Sequence, residues 1–227
     1  MRILIVLTSH DQLGNTGEKT GFWLEEFAAP YYTFKDAGVE ITLTSPNGGQ
    51  PPIDPKSELD DFQTDATRRF NADKKSQTLL AETVKLSEIK ASDYDAIFYP
   101  GGHGPLWDLV NNQNSIRLIE SFWANNKPVS AVCHAPIVLV NAHDENGNPI
   151  VKDREVTGFS NEEETSVGLT NVVPIQVENK LIEKGGIYSK ADSFTSHIIC
   201  DGNLITGQNP ASSESVALAV LELLNND

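Results

Sequence analysis

The chain has few of the residues that mark disulfide-rich or membrane-spanning proteins. It contains only two cysteines, Cys133 and Cys200, too few for a disulfide framework. No apolar run approaches the length of a membrane span, and the N-terminal run at residues 2–7 is too short for the apolar region of a signal peptide. We therefore expect a protein of the reducing cytoplasm that has no membrane partner.

Basic residues are scarce relative to acidic ones. The chain has 17 Lys and Arg against 32 Asp and Glu, which gives a formal net charge of -15. Nucleic-acid binding needs a basic face to neutralise phosphates, so this composition argues against a nucleic-acid partner. Hydrophobic residues make up 39% and charged residues 22%, as in an ordinary globular protein. Because no repeat or shift in composition divides the chain, we expect one domain over residues 1–227.

Strand-like and helix-like segments alternate along most of the chain. Continuous apolar runs at residues 3–8 and 96–99 predict strands that are buried on both faces. A helix predicted at residues 20–36 separates the first of these from another strand at residues 39–44. Residues 155–159 predict a further strand. This order predicts an α/β fold with a doubly wound, mostly parallel sheet flanked by helices. Its chemistry is then expected outside the carboxyl ends of the strands.

The last part of the chain departs from this alternation. Residues 198–200 and 204–206 are apolar and flank an Asp-Gly-Asn turn, so they predict a small β-hairpin. Residues 212–224 have strong helical periodicity and predict a final helix.

Residues 131–136, Ala-Val-Cys-His-Ala-Pro, contain the most informative functional motif. Cys133 follows a short buried strand and has a small residue two positions to either side, which is the pattern of a nucleophile elbow. A helix after this turn would direct its amides at the thiol, so we expect a partly exposed Cys133 with a depressed pKa. The adjacent His134 would serve as a base or cationic partner. The alternative, a buried structural cysteine, is the role we expect for Cys200.

A glycine-rich turn follows the strand at residues 96–99. Its sequence, Pro-Gly-Gly-His-Gly, lets backbone amides approach a substrate closely. We expect Gly102 to form an oxyanion site together with the amides of His134 and Ala135 after the nucleophile. For His103, a substrate contact and an ordinary turn residue are both open interpretations.

Two groups of carboxylates are candidates for proton transfer. Glu26 points toward the apolar side of the first predicted helix, where burial would raise its pKa, whereas Glu25 falls on a solvent face. Periodicity barely separates these two residues. The run Glu162, Glu163 and Glu164 is either a solvated helix start or the source of a carboxylate that orients His134.

Together these segments resemble the ThiJ/PfpI superfamily, which has a flavodoxin-like, class I glutamine amidotransferase-like fold. More narrowly, the chain resembles the heat-shock chaperone-like branch with glutathione-independent glyoxalase III activity. The matching segments cover most of the chain: residues 2–9, 19–21, 26, 102–104, 131–136, 157–159 and 204–212. The resemblance implies that Cys133 is the nucleophile and His134 its neighbouring histidine. It also implies that Glu26 is the catalytic glutamate and that Glu164 supports the histidine. Ala135 stands where the family often has Gly, a change expected to narrow the space beside the nucleophile.

The resemblance further implies a reaction and a setting. Methylglyoxal or glyoxal, small reactive dicarbonyls, would become lactate or glycolate through a hemithioacetal on Cys133, with protons moved by Glu26 and His134. The reaction would be of the hydro-lyase type, as for D-lactate dehydratase, and would need no glutathione or other cofactor. Some related chaperones bind zinc through a His-Glu-His set, of which only His103 is matched here, so no metal is expected. We also expect a homodimer with a role in stress protection.

Three further functions remain open for such a chain: a holding chaperone, a cysteine peptidase and a protein deglycase. A glutamine amidotransferase is rejected, because that class has a histidine and a glutamate two residues apart late in the chain. Here His197 is followed by Ile198 and Ile199.

Overall fold

The computed structural model describes residues 1–226, and in it helices cover both faces of a seven-stranded sheet. The strands are β1 (Arg2–Val6), β2 (Glu40–Ser45), β3 (Val84–Lys85), β4 (Ala96–Tyr99), β5 (Val129–Val132), β6 (Glu155–Val156), β7 (Ile187–Tyr188), β8 (Ile198–Asp201) and β9 (Leu204–Gly207). The α-helices are α1 (Leu24–Asp36), α2 (Asp65–Ala72), α3 (Lys74–Ala81), α4 (Pro105–Asp108), α5 (Gln113–Ala124), α6 (Asn161–Ser166), α7 (Val177–Glu183) and α8 (Ser213–Asn226). Short 3₁₀ helices occupy Pro55–Glu58, Asp60–Phe62, Leu86–Glu88, Ala91–Asp93, Ala135–Leu139 and Pro210–Ser212.

The main sheet is doubly wound and mostly parallel. Its strand order is β3-β2-β1-β4-β5-β9-β8, and every neighbouring pair is parallel except β8 with β9. The middle of this order, β2-β1-β4-β5-β9, follows the flavodoxin-like pattern. Strands β6 and β7 form a separate parallel pair. The predicted sheet and the predicted late hairpin are both confirmed.

Two apolar cores, one on each face of the sheet, explain why the strands have continuous apolar sequences. Side chains of a strand point to opposite faces in turn, so Leu4 and Val6 pack in one core while Ile3 and Ile5 pack in the other. Helix α5 contributes to the first core, and helices α1 and α8 pack together over the second.

The helices are short. The longest of those described above, α8, has 14 residues. Among residues 1–226, none of the helices combines the length and apolar content that a membrane crossing requires.

Two predicted elements are shorter than expected because distant segments pair with their ends. Helix α1 starts at Leu24 and not at residue 20, since Phe22 donates its N–H to Pro52 and accepts one from Asp54, which keeps this stretch extended. The strand predicted at residues 155–159 contains only Glu155–Val156. After it, Phe159 donates its N–H to the Cys133 carbonyl at 2.7 Å, so the rest of this segment supports the turn after β5.

Candidate active site

Cys133 lies in a strained turn directly after β5. Its φ is 62°, in the left-handed region that non-glycine residues rarely adopt. The turn is fixed on both sides: the Cys133 N–H donates to the Gly207 carbonyl at 2.9 Å, and the Cys133 carbonyl accepts from Phe159. This is the geometry of the predicted nucleophile elbow.

The environment of the thiol differs from the sequence-based expectation. Cys133 is only 3% exposed, and burial together with the neighbouring Glu26 raises the pKa of its thiol. The segment that follows is a five-residue 3₁₀ helix, Ala135–Leu139, and not an α-helix, so the stabilisation of a thiolate by a helix dipole is small. The predictions of a partly exposed Cys133 and of a depressed pKa are therefore wrong.

Cys200 also differs from expectation. It is exposed, because β8 is an edge strand of the sheet. The prediction of a buried structural role for Cys200 is therefore wrong as well.

His134 lies between the thiol and a carboxylate. Its Nδ1 is 3.3 Å from the Cys133 Sγ, and its Nε2 is 2.8 Å from the Glu164 Oε2. Burial, reinforced by the nearby His103, lowers the pKa of His134 to about 4, so the ring is neutral near pH 7. An ionised carboxylate only accepts hydrogen bonds, so the ring proton is assigned to Nε2 and the Nδ1 lone pair faces the thiol.

Glu164 joins two histidines. Besides His134, it accepts a hydrogen bond from His103 Nε2 at its Oε1, at 3.1 Å, and the two imidazole rings are 4.0 Å apart. Burial opposes ionisation, yet the two histidines hold the pKa of Glu164 well below its usual range. The predicted contact between Glu164 and His134 is confirmed. His103 lines the cavity, and its Nε2 donates a hydrogen bond to Glu164.

The acidic run is not a uniformly solvated helix start, because its three members face different surroundings. Glu162 is exposed and pairs with Lys190, whereas Glu163 and Glu164 are buried. Glu163 accepts from both the N–H and the hydroxyl of Ser160, which caps α6. It also accepts from the Phe194 N–H at 2.8 Å and from the Asn209 side chain at 2.9 Å.

Glu26 lies fully buried beside the thiol. Its Oε2 accepts the Gly101 N–H at 2.8 Å, and its Oε1 has no hydrogen-bond partner among residues 1–226. Burial raises the pKa of Glu26 to about 8, although interactions with Cys133 and Gly101 partly offset this effect. Glu26 therefore carries a proton at neutral pH and has one oxygen free for proton exchange.

Glu25 does not lie on the predicted solvent face. It is half-buried at the cavity, where its carboxylate accepts a hydrogen bond from the Thr64 hydroxyl. Desolvation raises the pKa of this carboxyl. Thr64 comes from a segment 39 residues away in the chain, which helical periodicity cannot represent.

The glycine-rich turn brings a backbone amide to the nucleophile. Gly102 has a φ of 89°, and a Cβ at this position would lie 2.5 Å from the Gly21 carbonyl oxygen. A Cβ on Gly101 would lie 2.5 Å from the Glu26 Oε2. Only glycine fits this close approach, and the Gly102 N–H acts on Cys133 to lower the pKa of its thiol. The oxyanion role expected of this amide stays a prediction.

Ala135 does not narrow the space beside the nucleophile. Its methyl group is fully buried in the core that also contains Leu106 and Ile137, and it is not part of the cavity lining. The expectation of a steric effect at this position is therefore wrong.

One cavity of about 600 Å³ connects these groups. The catalytic candidates Cys133, His134 and Glu26 line it together with Gly102 and His103. The remaining lining residues are Trp23, Glu25, Asp61, Phe62, Gln63, Thr64, Phe159, Val167, Phe194, Pro210 and Ala211. The sequence analysis did not assign six of these lining residues to the site: Asp61, Phe62, Gln63, Thr64, Val167 and Phe194. Of the aromatic lining residues, Phe62 and Phe194 lie in segments that the sequence analysis did not single out.

His103, His134 and Glu164 form a set that would suit a metal ion. They offer one ligand atom each, and these atoms all lie within 4.8 Å of one another. The carboxylate already accepts hydrogen bonds from both rings, so the three side chains satisfy one another's polar groups without an ion.

Comparison with known proteins gives consistent matches over the whole chain. The profile of the DJ-1/PfpI family matches residues 19–223. A protein named glutathione-independent glyoxalase from Saccharomyces cerevisiae is 31% identical, over 99% of this chain and 98% of its own length. The crystal structure of glyoxalase III from Candida albicans superposes with a TM-score of 0.91 at 28% identity, covering 98% of this chain and 97% of that one. The Rapid Encystment Protein of Francisella tularensis reaches a TM-score of 0.94 at 41% identity, covering 98% of both chains.

Proposed function

This chain belongs to the DJ-1/PfpI family, and we propose that it is a glutathione-independent glyoxalase that converts methylglyoxal to lactate. The observation that carries the proposal is the joint placement of a thiol, a protonated carboxyl and a histidine-carboxylate pair in one cavity. The names of the relatives indicate the reaction. The thiol, the carboxyl and the histidine would provide the nucleophile and the proton-transferring groups that this reaction requires.

The first step is attack of the Cys133 sulfur on the aldehyde carbon. The thiol proton passes to the His134 Nδ1, which lies 3.3 Å from the sulfur and faces it with a lone pair. A carbon–sulfur bond forms as the carbonyl π bond breaks, and the former aldehyde oxygen receives the proton of Glu26, which gives a hemithioacetal and leaves Glu26 as the carboxylate that acts as base in the next step. The Gly102 N–H stabilises negative charge at this point of the cavity. Because the resting thiol has a raised pKa, the thiolate forms as the attack begins and is not present beforehand.

The second step moves hydrogen between the two substrate carbons. A proton leaves the hemithioacetal carbon and another is delivered to the former ketone carbon by way of an enediol. The first carbon is thereby oxidised and the second reduced, so no external electron acceptor is needed. Glu26 suits this role, because a carboxyl with a pKa of about 8 gives up and regains a proton near neutral pH.

The last step is hydrolysis of the resulting thioester. Water adds to the thioester carbon, the carbon–sulfur bond breaks, and the sulfur regains a proton while lactate leaves. His134 can activate this water through Nδ1, with Glu164 holding the ring from the opposite nitrogen. Every step of this route uses only side chains of this protein, its backbone amides and water.

The proposal is tested by incubating the protein with methylglyoxal in the absence of glutathione and measuring lactate with a chiral assay. We expect lactate to form, and Cys133→Ser to lower the rate by at least about 10³-fold because the nucleophile is lost. The matched control is Cys200→Ser, which changes an exposed thiol outside the cavity and should leave the rate unaltered.

Absence of lactate from the wild-type protein would contradict the proposal. Two further assays separate the other functions of this superfamily. A holding chaperone would prevent aggregation of a client protein equally well in the wild type and in the Cys133→Ser variant. A peptidase would cleave peptides in a manner that depends on Cys133 but would form no lactate.

A further inference from the structure

The cavity is much larger than methylglyoxal needs. Its volume of about 600 Å³ lies within the range of roughly 300–1,000 Å³ typical of sites for drug-sized ligands. Methylglyoxal has only three carbons and two oxygens. When its aldehyde carbon lies at Cys133, most of this space is left to water.

The space away from the nucleophile is lined mainly by apolar side chains. Trp23 and Phe62 meet edge to face with ring centres 5.0 Å apart, and Phe159 and Phe194 form a second aromatic pair at 6.3 Å. Phe62, Val167 and Phe194 remain 45%, 43% and 48% exposed. Large apolar side chains that line one cavity and stay exposed to solvent are typical of a binding surface.

The position of Phe194 requires a strained backbone. Its φ is 60°, which is unfavourable for a bulky residue, and its N–H donates to the Glu163 carboxylate at 2.8 Å. Glu163 is fully buried and also holds the Asn209 side chain. A buried carboxylate thus fixes a strained residue whose ring is half exposed at the cavity. Packing of the core does not explain this arrangement, because the Phe194 ring is half exposed at the cavity.

We propose that the preferred substrates are 2-oxoaldehydes whose ketone carries an aromatic or similarly bulky apolar group. This inference rests on the proposed glyoxalase function and specifies its substrate class. The dicarbonyl end reacts at Cys133, and the apolar group packs against Trp23, Phe62 and Phe194, whose rings favour an aromatic partner. The chemistry is unchanged: addition of one water gives the corresponding 2-hydroxy acid, so phenylglyoxal gives mandelate.

The experiment compares kcat/KM for phenylglyoxal and methylglyoxal in the wild type and in two variants, Phe62→Ala and Phe194→Ala. We expect the phenylglyoxal-to-methylglyoxal ratio to be at least about 10 in the wild type and to fall by about 10-fold in each variant, because a pocket discriminates through the apolar surface it covers. Comparing variants removes the intrinsic difference in reactivity between the two aldehydes. Ile182→Ala is the matched control, since Ile182 is 51% exposed on α7 and is not part of the cavity.

A second measurement does not depend on the folding of any variant. Phenylglyoxylate and pyruvate are compared as inhibitors of methylglyoxal turnover by the wild type, and phenylglyoxylate should bind at least about 10-fold more tightly. Lactate formation with a substrate ratio near one, unchanged in both variants, would overturn this inference and leave the proposed function intact. Failure to turn over either aldehyde would overturn the proposed function itself.

Discussion

Glu164 shows how one side chain can fix two others. Each of its oxygens accepts an N–H from a different histidine, at 2.8 Å from His134 and 3.1 Å from His103. This leaves the His134 Nδ1 as an acceptor toward Cys133. The carboxylate therefore fixes the tautomer of His134, which in the proposed mechanism leaves Nδ1 to take the thiol proton.

We predict that Glu164→Gln lowers kcat for methylglyoxal by about 10²- to 10⁴-fold, the upper value being that of the equivalent change in a serine protease triad. The amide keeps the shape of the side chain, but its NH₂ group faces a ring N–H in place of an acceptor. The ring must then rotate or change tautomer. Steady-state kinetics at saturating methylglyoxal measure this effect, and KM should change little.

Glu162→Gln is the matched control for this substitution, because Glu162 is the exposed neighbour on the same helix and forms an ion pair with Lys190. It should retain the wild-type kcat. Equal losses in the two variants would indicate a general electrostatic effect of the acidic run and would contradict the orienting role of Glu164.

The sequence predicts the chemical role expected of these residues better than it predicts the environment in which they lie. The small residues around Cys133 predict the elbow, because a sharp turn of this kind requires small side chains beside the nucleophile. The pKa of Cys133 depends on Glu26 and on burial in a core built from distant segments, so the local motif predicts the wrong direction. Likewise, Thr64 determines the environment of Glu25, and nothing near Glu25 in the sequence indicates this contact.

At the level of secondary structure, the turn after β4 combines a left-handed backbone with close backbone contacts. Gly102 has a φ of 89°, and a Cβ there would lie 2.5 Å from both the Gly21 carbonyl oxygen and the Trp23 nitrogen. Gly17 has a similar φ of 80°, but a Cβ there would meet no atom within 4 Å. Comparing Gly17 with Gly102 therefore separates the energetic cost of the left-handed backbone from the cost of placing a methyl group where there is no room for it.

We predict that Gly17→Ala lowers the free energy of unfolding by about 1–2 kcal/mol, the cost of a left-handed conformation for an L-residue. Gly102→Ala should lower the free energy of unfolding by this amount and by about 1–3 kcal/mol more for overpacking. The atoms that the new methyl group meets belong to the backbone and cannot rotate away. Urea denaturation of both variants measures the difference. Equal losses would mean that the turn moves freely, and would contradict the close approach described for this loop.

Elements defined by local pattern are predicted well, and those defined by distant pairing are not. The apolar sequences of β1 and β4 predict buried strands because both faces of the sheet are covered. The delayed start of α1 depends on Phe22 pairing with the chain near Ile53, a contact without any trace in the helix sequence. Likewise, the local sequence does not indicate that Ala135–Leu139, whose residues are all buried, is a 3₁₀ helix.

For the molecule as a whole, the buried Glu26 links folding to pH. Its pKa rises from the ordinary value of 4.5 to about 8 in the folded protein. Below pH 4.5 the carboxyl is protonated in both states. Between pH 4.5 and about 8 only the folded state keeps the proton, so the free energy of unfolding decreases as the pH rises. Above the folded-state pKa, the stability that protonated Glu26 contributed is lost.

We predict that Glu26→Gln gains stability relative to the wild type as the pH rises from 5 to 8, by at most about 1.4 kcal/mol for each pH unit. The amide cannot ionise, so it removes this dependence. Urea denaturation at several pH values gives the difference between the two proteins. The pKa of His134 falls from 6.5 to about 4 on folding, which makes stability rise with pH in the acidic range. Because the wild type and the variant both contain His134, this effect cancels in the comparison. A difference that does not vary with pH would contradict a buried, protonated Glu26.

The segment from Ser160 to Glu164 also constrains how the gene can change over evolution. Ser160 caps α6, Glu163 fixes the chain near Phe194 and Asn209, and Glu164 faces the histidines. These tasks depend on the spacing of Ser160, Glu163 and Glu164 along the chain. A substitution at exposed Glu162 leaves that spacing intact, whereas inserting or deleting a single codon would shift the helix cap, the hydrogen bonds of Glu163 and the contact of Glu164 with the histidines together. Homologues that keep the activity should therefore vary in the composition of this segment and not in its length.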